Sequence, residues 1–373
     1  GRITEMKRRE FVRGAAVAGV AAAGAGAASF PAPALAQGIR ELKLVTTWPK
    51  NFPGLGTGAQ RMADRITAAT DGALTVKLFA AGELVPPFES FDAVSNGTAD
   101  MYHGAEYYWQ GKSKAFNFFA AVPFGFTASE MDSWIQFGGG QELWDKLSGD
   151  FNIKPFVAGN TGVQMGGWFN KEINQLEDYK GLKIRMPGLG GEVLRQIGAA
   201  AVSLPGGEIF PSLQSGAIDA TEWVGPWNDL AFGFYKVTKY YYYPGFHEPG
   251  TALGAGMNLK VWESLSAQHK AIVTDAMAAE NSATLAEFNA RNNDSLDVLT
   301  EKHKVLLRKF DDKTLNAIGE ASGDVVSATA NDGGITKEVY DSFIAFRKKA
   351  LAWSKIADQA YTNARVLPFK YGK

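Results

Sequence analysis

The sequence predicts a two-lobed α/β protein, and three observations carry that expectation. Strand-like and helix-like runs alternate from residue 41 to residue 223, most helices being followed by a strand, as in parallel, doubly wound sheets. A helix–turn–strand unit recurs. "GELVPPFESFDAVSNGTADM" and "GEIFPSLQSGAIDA" share Gly-Glu-apolar-apolar-Pro, a short amphipathic helix, a Gly turn and an Asp at the next strand. From Ser266 onward the chain becomes one long helical stretch rich in Ala, Glu, Asn and Leu. With 373 residues, 46% of them hydrophobic, there is enough chain for about two lobes. The repeat reads either as two related lobes facing a cleft or as generic turn grammar.

The elements follow in order. "MKRREFVRGAAVAGVAAAGAGAASFPAPALAQ" has a basic start, a weakly apolar Ala/Gly stretch and the small-residue site Ala34-Leu35-Ala36, so residues 1–36 read as a removed export signal. Arg8-Arg9 gives it a twin-arginine appearance, with general secretion as the competing route, and the Ala/Gly stretch is too weakly apolar for a membrane span. Removing its five basic and two acidic residues takes the net charge from −1 to −4, a mildly acidic periplasmic protein. "ELKLVTTW" is then a strand, residues 58–70 a helix and "LTVKLF" a strand; a helix from Phe88 to Asn96 leads into the strand "ADMYHGA". A Trp/Phe-rich helical region follows, then the strands "IKPFV" and "GLKIR", a helix from Gly191 to Ile197, the strand "AIDATEW" and, late in the chain, the strand "KVLLRKF". Val339, Phe343, Phe346, Ala350, Trp353, Ala357, Ala360 and Ala364 step by four and three, a heptad seam that needs a partner surface, either the protein's own body or a second subunit.

Several chemistries are excluded. The chain has no cysteine, which removes zinc–thiolate and thiol chemistry, and no basic tract that would suggest nucleic acid. Gly54, Gly56 and Ala59 have the spacing of a dinucleotide loop, but "WPKNFP" separates them from the preceding strand. "QGKS" at 110–113 ends like a phosphate loop, yet Glu106 stands where its first glycine belongs. His103, His247, His269 and His303 are scattered and read as core or surface residues, and no nucleophile comes with a base and orienter.

What remains is a set of polar residues at strand ends, where open α/β sheets place ligands. Arg185 closes "GLKIR"; its planar fork suits a carboxylate, whether a ligand's or a structural partner's. Asn160 and Gln164 in "AGNTGVQMGG" offer amide groups to a ligand or shape the turn. Glu222 and Trp223 follow "AIDA", and a carboxylate there must be paired, protonated or coordinating a metal. Glu248 in "YYYYPGFHEPG" poses the same problem, whereas Asp219 reads as a turn or edge residue.

These stretches resemble the substrate-binding receptors of tripartite ATP-independent periplasmic (TRAP) transporters, in particular the branch that binds 2-oxo acids such as pyruvate. The resemblance runs over nearly the whole chain after residue 36 and is carried by "AGELVPPFESFDAVSNGTADM", "GNTGVQMGGWF", "GLKIRMPG", "GAIDATEWVGP" and "YYYYPGFHEPG". It implies a periplasmic-binding-protein fold, a receptor and not an enzyme. Residues 37–157 plus 222–265 would form lobe I and 158–221 plus 266–335 lobe II, with crossings near 157, 221 and 265 and a long helix under both. The segment 336–373 would be a C-terminal helix that reaches to a second subunit as a homodimer contact. Arg185 would bind the substrate carboxylate, and Gln164, Glu222 and the Trp223 carbonyl would hold a cation, Na⁺ or alternatively Ca²⁺, that also binds the substrate. Asn160, Tyr108 and Glu248 would line the same pocket. The branch carries two tryptophans before the last glutamate, where this chain has Phe246-His247, which opens the exact acid to variation. The implied function is capture of pyruvate or a similar acid for the TRAP membrane subunits. A receptor for lactate, another hydroxy acid or a sugar acid is the near alternative, and a periplasmic metal-dependent enzyme acting on a 2-oxo acid the distant one.

Overall fold

The computed structural model describes residues 38–372; the export signal read in residues 1–36 lies outside them. The chain runs β1 (Arg40–Thr46), α1 (Gly56–Ala69), β2 (Leu74–Phe79), α2 (Ser90–Ser95), β3 (Met101–Gly104), α3 (Ala128–Phe137), α4 (Gly140–Gly149) and β4 (Ile153–Asn160). It continues through β5 (Gly167–Phe169), β6 (Lys183–Arg185), α5 (Gly188–Gln196), β7 (Ala200–Val202), α6 (Gly206–Ser215), β8 (Ala220–Thr221), α7 (Pro226–Phe232) and β9 (Tyr240–Tyr243). β10 (Ala252–Asn258), α8 (Leu259–Glu263), α9 (Ala267–Asp297), β11 (Leu306–Lys309), α10 (Asp312–Ala328), α11 (Gly334–Ser354) and α12 (Asp358–Ala364) complete it. Helix starts follow local chemistry. Thr127 and Glu130 form a reciprocal capping box on α3, the Asp311 side chain accepts from the Thr314 N–H at 2.6 Å to open α10, and Pro226 sits in the first turn of α7.

Two sheets form, ordered β2-β1-β3-β10-β4 and β11-β9-β5-β8-β6-β7. They are mixed, not parallel throughout: β10 runs antiparallel to both β3 and β4, and β5 antiparallel to both β8 and β9. The runs β2-β1-β3 and β7-β6-β8 are both parallel, and each is followed by an antiparallel strand. The recurring sequence unit supplies α2–β3 in one sheet and α6–β8 in the other, so it fills equivalent places in two related layers. Leu42, Leu44, Met62, Ile66 and Met277 pack the first sheet against α1 and α9. Ile184, Val193, Leu194, Phe310 and Ile318 pack the second against α5 and α10. Each such side chain contributes about 1.5–3 kcal/mol of burial.

The expected lobe boundaries need a correction. Tyr240–Tyr243 pair parallel with Leu306–Lys309 and antiparallel with β5, so β9 belongs to the second sheet and residues 222–243 do not join lobe I. The return crossing is therefore the loop between β9 and β10, at 244–251, not near 221. The hydrogen-bond ladder decides it: a tyrosine run with β-propensity on both faces finds partners on either side only inside a sheet. The crossing between β4 and β5, at 161–166, lies close to the one expected near 157.

Helix α9, 31 residues and so about 46 Å long, runs beneath the first sheet and on to α7. Its first half packs under β4 and against α1, where Arg61 clamps the fully buried Glu280 with donors at 2.6 and 2.9 Å. Its second half meets α7, with Phe288 edge-on to Trp227. The heptad seam divides: Phe343 in α11 packs against Phe118, Phe126 and Trp134 of the chain's own body. The helix then ends at Ser354, and Trp353, Ile356, Tyr361, Val366 and Leu367 are exposed.

Candidate functional site

The site forms where strand ends from both sheets meet. β6 delivers Arg185, β8 leads into Glu222 and Trp223, β4 ends at Asn160, and β3 leads into a short 3-10 turn, Glu106–Trp109, that carries Tyr107 and Tyr108. The two crossing loops are zipped together. Gly245 donates its N–H to the Gln164 carbonyl at 2.9 Å, the Gln164 N–H reaches the Glu248 carbonyl at 3.1 Å, and a Cβ on Gly245 would stand 2.3 Å from the Gln164 oxygen. Only glycine permits that approach, and it sets His247 and Glu248 beside Gln164.

Arg185 is 1% exposed, and four of its five N–H donors find protein partners. Its Nη1 pairs with the Glu222 carboxylate and donates to the Glu222 backbone carbonyl at 3.0 Å; Nε donates to the Leu204 carbonyl at 3.1 Å and Nη2 to the Tyr108 hydroxyl at 3.3 Å. The guanidinium also lies 5.1 Å from the centre of the Trp223 ring. The other Glu222 oxygen meets His247 Nε2 at 3.2 Å. Glu248 accepts from the Thr251 hydroxyl at 2.6 Å and from the Tyr107 hydroxyl at 3.5 Å. Glu222, His247 and Glu248 each present a donor atom within 4.8 Å of the other two. Trp48, Leu55, Tyr107, Tyr108, Gln164 and Trp223 enclose a cavity of about 10 Å³, room for about one water, so a three-carbon acid enters only if the walls move.

Burial dominates the electrostatics. It pushes the Glu222 carboxyl up to about 7, with Arg185 pulling the other way, and pushes Glu248 up to about 7, helped by the nearby Glu222 charge. Burial lowers His247 to about 4, so its imidazole is neutral near pH 7; with Nε2–H directed at Glu222, Nδ1 is a buried acceptor with no partner. Tyr108 rises to about 12 by burial, Arg185 opposing. A site of this kind suits a small anion bound together with a cation.

The Gln164 side chain tests the fit to a cation. Its amide nitrogen is spent on the Thr161 and Thr251 hydroxyls at 3.1 and 3.3 Å, and its carbonyl oxygen is buried without a hydrogen-bond partner. A free amide oxygen, together with the Glu222 and Glu248 carboxylates, would make a hard-oxygen donor set that suits Na⁺ or Ca²⁺.

Of the residues singled out in the sequence, Arg185, Gln164, Glu222, Trp223, Tyr108 and Glu248 come together. Asn160 is adjacent: its Nδ2 donates to the Gly250 carbonyl at 3.2 Å and its Oδ1 accepts from the Gly162 N–H at 2.8 Å, contacts that shape the turn. Asp219 stays at the exposed edge, bonded to the Lys183 N–H. Tyr107, Trp48 and Thr251 went unnoticed in the sequence, and His247 was read there as a core or surface histidine and as a change in the pocket wall beside Glu248. For His247 the signal was its place next to Glu248. His103 is a core histidine, held by the Trp48 indole at 2.7 Å and the Ala158 carbonyl at 3.2 Å.

Comparison with known proteins places this arrangement. Residues 44–332 match the DctP family, bacterial extracellular solute-binding protein family 7. The chain belongs to this family, the solute receptors of TRAP transporters. Such receptors bind without converting their ligand, so the chain is a receptor and not an enzyme. It is 38% identical over 360 residues to a monocarboxylate 2-oxoacid-binding periplasmic protein of Nostoc sp., covering 96% of this chain and 98% of that one. A TRAP periplasmic solute-binding protein from Pseudoalteromonas atlantica with bound sodium and pyruvate superposes with TM-score 0.84 at 39% identity, over 88% of this chain and 99% of that one. A TRAP solute-binding protein dimer from Bordetella bronchiseptica, with calcium and picolinate in one active site, gives TM-score 0.86 at 34% identity, over 88% and 97%. Among the described residues of this family member, no helix is long and apolar enough to cross a membrane.

Proposed function

We propose that this DctP-family receptor captures a small 2-oxo monocarboxylate such as pyruvate in the periplasm and delivers it to the TRAP membrane subunits. The observations that carry the reading are the buried, unpartnered Gln164 oxygen, on the loop whose backbone bonds to Glu248, and the buried Arg185–Glu222 pair. Gln164, Glu222 and the Trp223 carbonyl would hold Na⁺ or Ca²⁺, with Glu248 within reach of the same centre. That cation would bind one carboxylate oxygen and the neighbouring keto oxygen of the acid, while Arg185 holds the other carboxylate oxygen. The pair of contacts selects acids with an oxygen on the adjacent carbon. The walls of the 10 Å³ cavity come from both sheets, so a hinge at the zipped crossing loops must open to admit ligand and close upon it, and the membrane subunits would recognise the closed form.

The test is a thermal-shift and calorimetric series over pyruvate, 2-oxobutyrate and propionate with Na⁺ or Ca²⁺ present. Pyruvate at a hundred times its dissociation constant is expected to stabilise the protein by about 2.7 kcal/mol, and propionate, which lacks the second oxygen, not at all. Equal stabilisation by propionate would refute the chelate. Pyruvate recovered unchanged after long incubation separates a receptor from a metal-dependent enzyme.

A 2-hydroxy acid such as lactate is a second reading, favoured by His247: its unpartnered Nδ1 can accept a hydrogen bond that a hydroxyl donates and a keto oxygen cannot. Lactate binding more tightly than pyruvate in the same series decides for it.

The exposed apolar residues of the C-terminal segment, with Trp353 at 66% and Ile356 at 73%, support a homodimer contact there. Ending the chain after Ser354 is expected to convert a dimer into a monomer in sedimentation velocity with ligand affinity unchanged. An unaltered sedimentation coefficient after allowing for the lost mass removes that assignment.

A further inference from the structure

Asp229 lies on α7, six residues after Trp223, and is buried with 1% exposure. Its carboxylate collects three donors: the Tyr241 hydroxyl at 2.6 Å and the Trp168 indole at 3.0 Å on Oδ2, and the Val224 N–H at 3.2 Å on Oδ1. The third contact differs in kind from the first two. Trp168 and Tyr241 belong to β5 and β9, stacked with ring centres 4.0 Å apart, and serve to anchor the carboxylate to the second sheet. Val224 N–H belongs to the same peptide unit as the Trp223 carbonyl. A trans peptide is planar with N–H and C=O on opposite sides, so a carboxylate that fixes the N–H aims the carbonyl the other way. The neighbouring Asn228 accepts from the Trp223 indole at 3.3 Å and holds the other end of the residue. Among the described residues no hydrogen-bond donor reaches the Trp223 carbonyl, while the next carbonyl, that of Val224, accepts from the Met165 N–H at 2.9 Å.

We propose that Asp229 is the positioning residue for the cation: from outside the site it orients the Trp223–Val224 peptide so that the Trp223 carbonyl faces the ion. The inference rests on the proposed role of that carbonyl as a cation ligand. A hydrogen bond from the N–H to a carboxylate also draws electron density toward the carbonyl oxygen, which strengthens it as a donor to a hard cation. Tyr241 and Trp168 brace the same carboxylate from the second sheet, while the Val224 contact alone reaches the peptide. This accounts for a buried aspartate that faces the second sheet and not the cavity.

The chain contains a single Trp-Val dipeptide, so labelling tryptophan with ¹³C at the carbonyl and valine with ¹⁵N gives one carbonyl–amide cross-peak, that of this peptide. In the wild-type protein with pyruvate that peak is expected to move as Ca²⁺ is titrated, tracking occupancy. Asp229→Asn is expected to weaken Ca²⁺ at least tenfold and to shift the peak before any cation is added. Tyr241→Phe, which removes an anchor of Asp229 and leaves the Val224 contact, is expected to lower the melting temperature with Ca²⁺ affinity within twofold of wild type. Asp229→Asn with wild-type Ca²⁺ affinity overturns the inference, as does a loss of affinity in Tyr241→Phe equal to that in Asp229→Asn, which would make the effect one of stability. If Asp229→Asn does not fold, Asp229→Ser is read by the same peak and the same criteria. A wild-type protein whose pyruvate affinity is indifferent to cations would instead sink the bridging cation itself, a distinct outcome.

Discussion

Arg185→Ala is expected to abolish pyruvate binding and at the same time to cost about 3–5 kcal/mol of stability, because it strands a buried carboxylate. From the sequence, Arg185 reads as pairing either a ligand's carboxylate or a structural partner's. The structure supplies the structural partner: Arg185 and Glu222 are 1% and 0% exposed and paired to each other, and the guanidinium also ties the Leu204 carbonyl and the Tyr108 hydroxyl. The two effects separate in Arg185→Met combined with Glu222→Gln, which removes both charges together. That double variant is expected to melt well above Arg185→Ala yet still fail to bind pyruvate by calorimetry. Arg185→Lys is a further measure of the same point, since a single ammonium cannot span the contacts that the planar fork makes. Unchanged pyruvate affinity in Arg185→Ala would remove the arginine from the site.

Stripping the protein of Na⁺ and Ca²⁺ is expected to weaken pyruvate by roughly 5- to 150-fold, the range of a linked-site coupling of 1–3 kcal/mol. Charge balance in the site sets this dependence. With Glu222 and Glu248 ionised and their oxygens within 4.8 Å of each other, Arg185 cannot balance both carboxylates and that of the ligand. Ca²⁺ neutralises the remainder and Na⁺ only half of it, so returning Ca²⁺ is expected to restore more affinity than returning Na⁺ at equal occupancy. By linkage, pyruvate must tighten the cation by the same factor, which calorimetry can read in the reverse order of addition. Identical pyruvate affinity in chelated, sodium-free buffer would leave Arg185 as the sole anchor of the acid.

The long, periodic features were legible from residues alone. The α1–β2 and α2–β3 units, the helix α9 after Ser266 and the strand β11 follow from apolar spacing and caps, which act within a few residues. The candidate residues were legible for a different reason: a charged side chain at the end of an apolar strand is conspicuous, and Arg185, Glu222 and Glu248 all stand in such places. The assignment of β9 was not legible, because a tyrosine run suits either sheet and only its pairing with Leu306–Lys309 and with Gly167–Phe169 chooses. The heptad seam left its cover open, since periodicity shows that a face needs cover and not what covers it.

By itself, then, the sequence determined the α/β alternation, a recurring helix–turn–strand unit, and charged residue types at strand ends that suit a small anion with a hard cation. These depend on local spacing and on the cost of burying charge, both written along the chain. Tertiary structure decided the rest. It brought His247 and Glu248 against Gln164 through the approach that Gly245 permits, bonded Asn160 into its turn, and locked Arg185 onto Glu222. It also set Asp229 behind the Trp223 peptide. Each is a contact between residues far apart in sequence or on different elements, and its partner is chosen by packing in three dimensions, which no local pattern encodes.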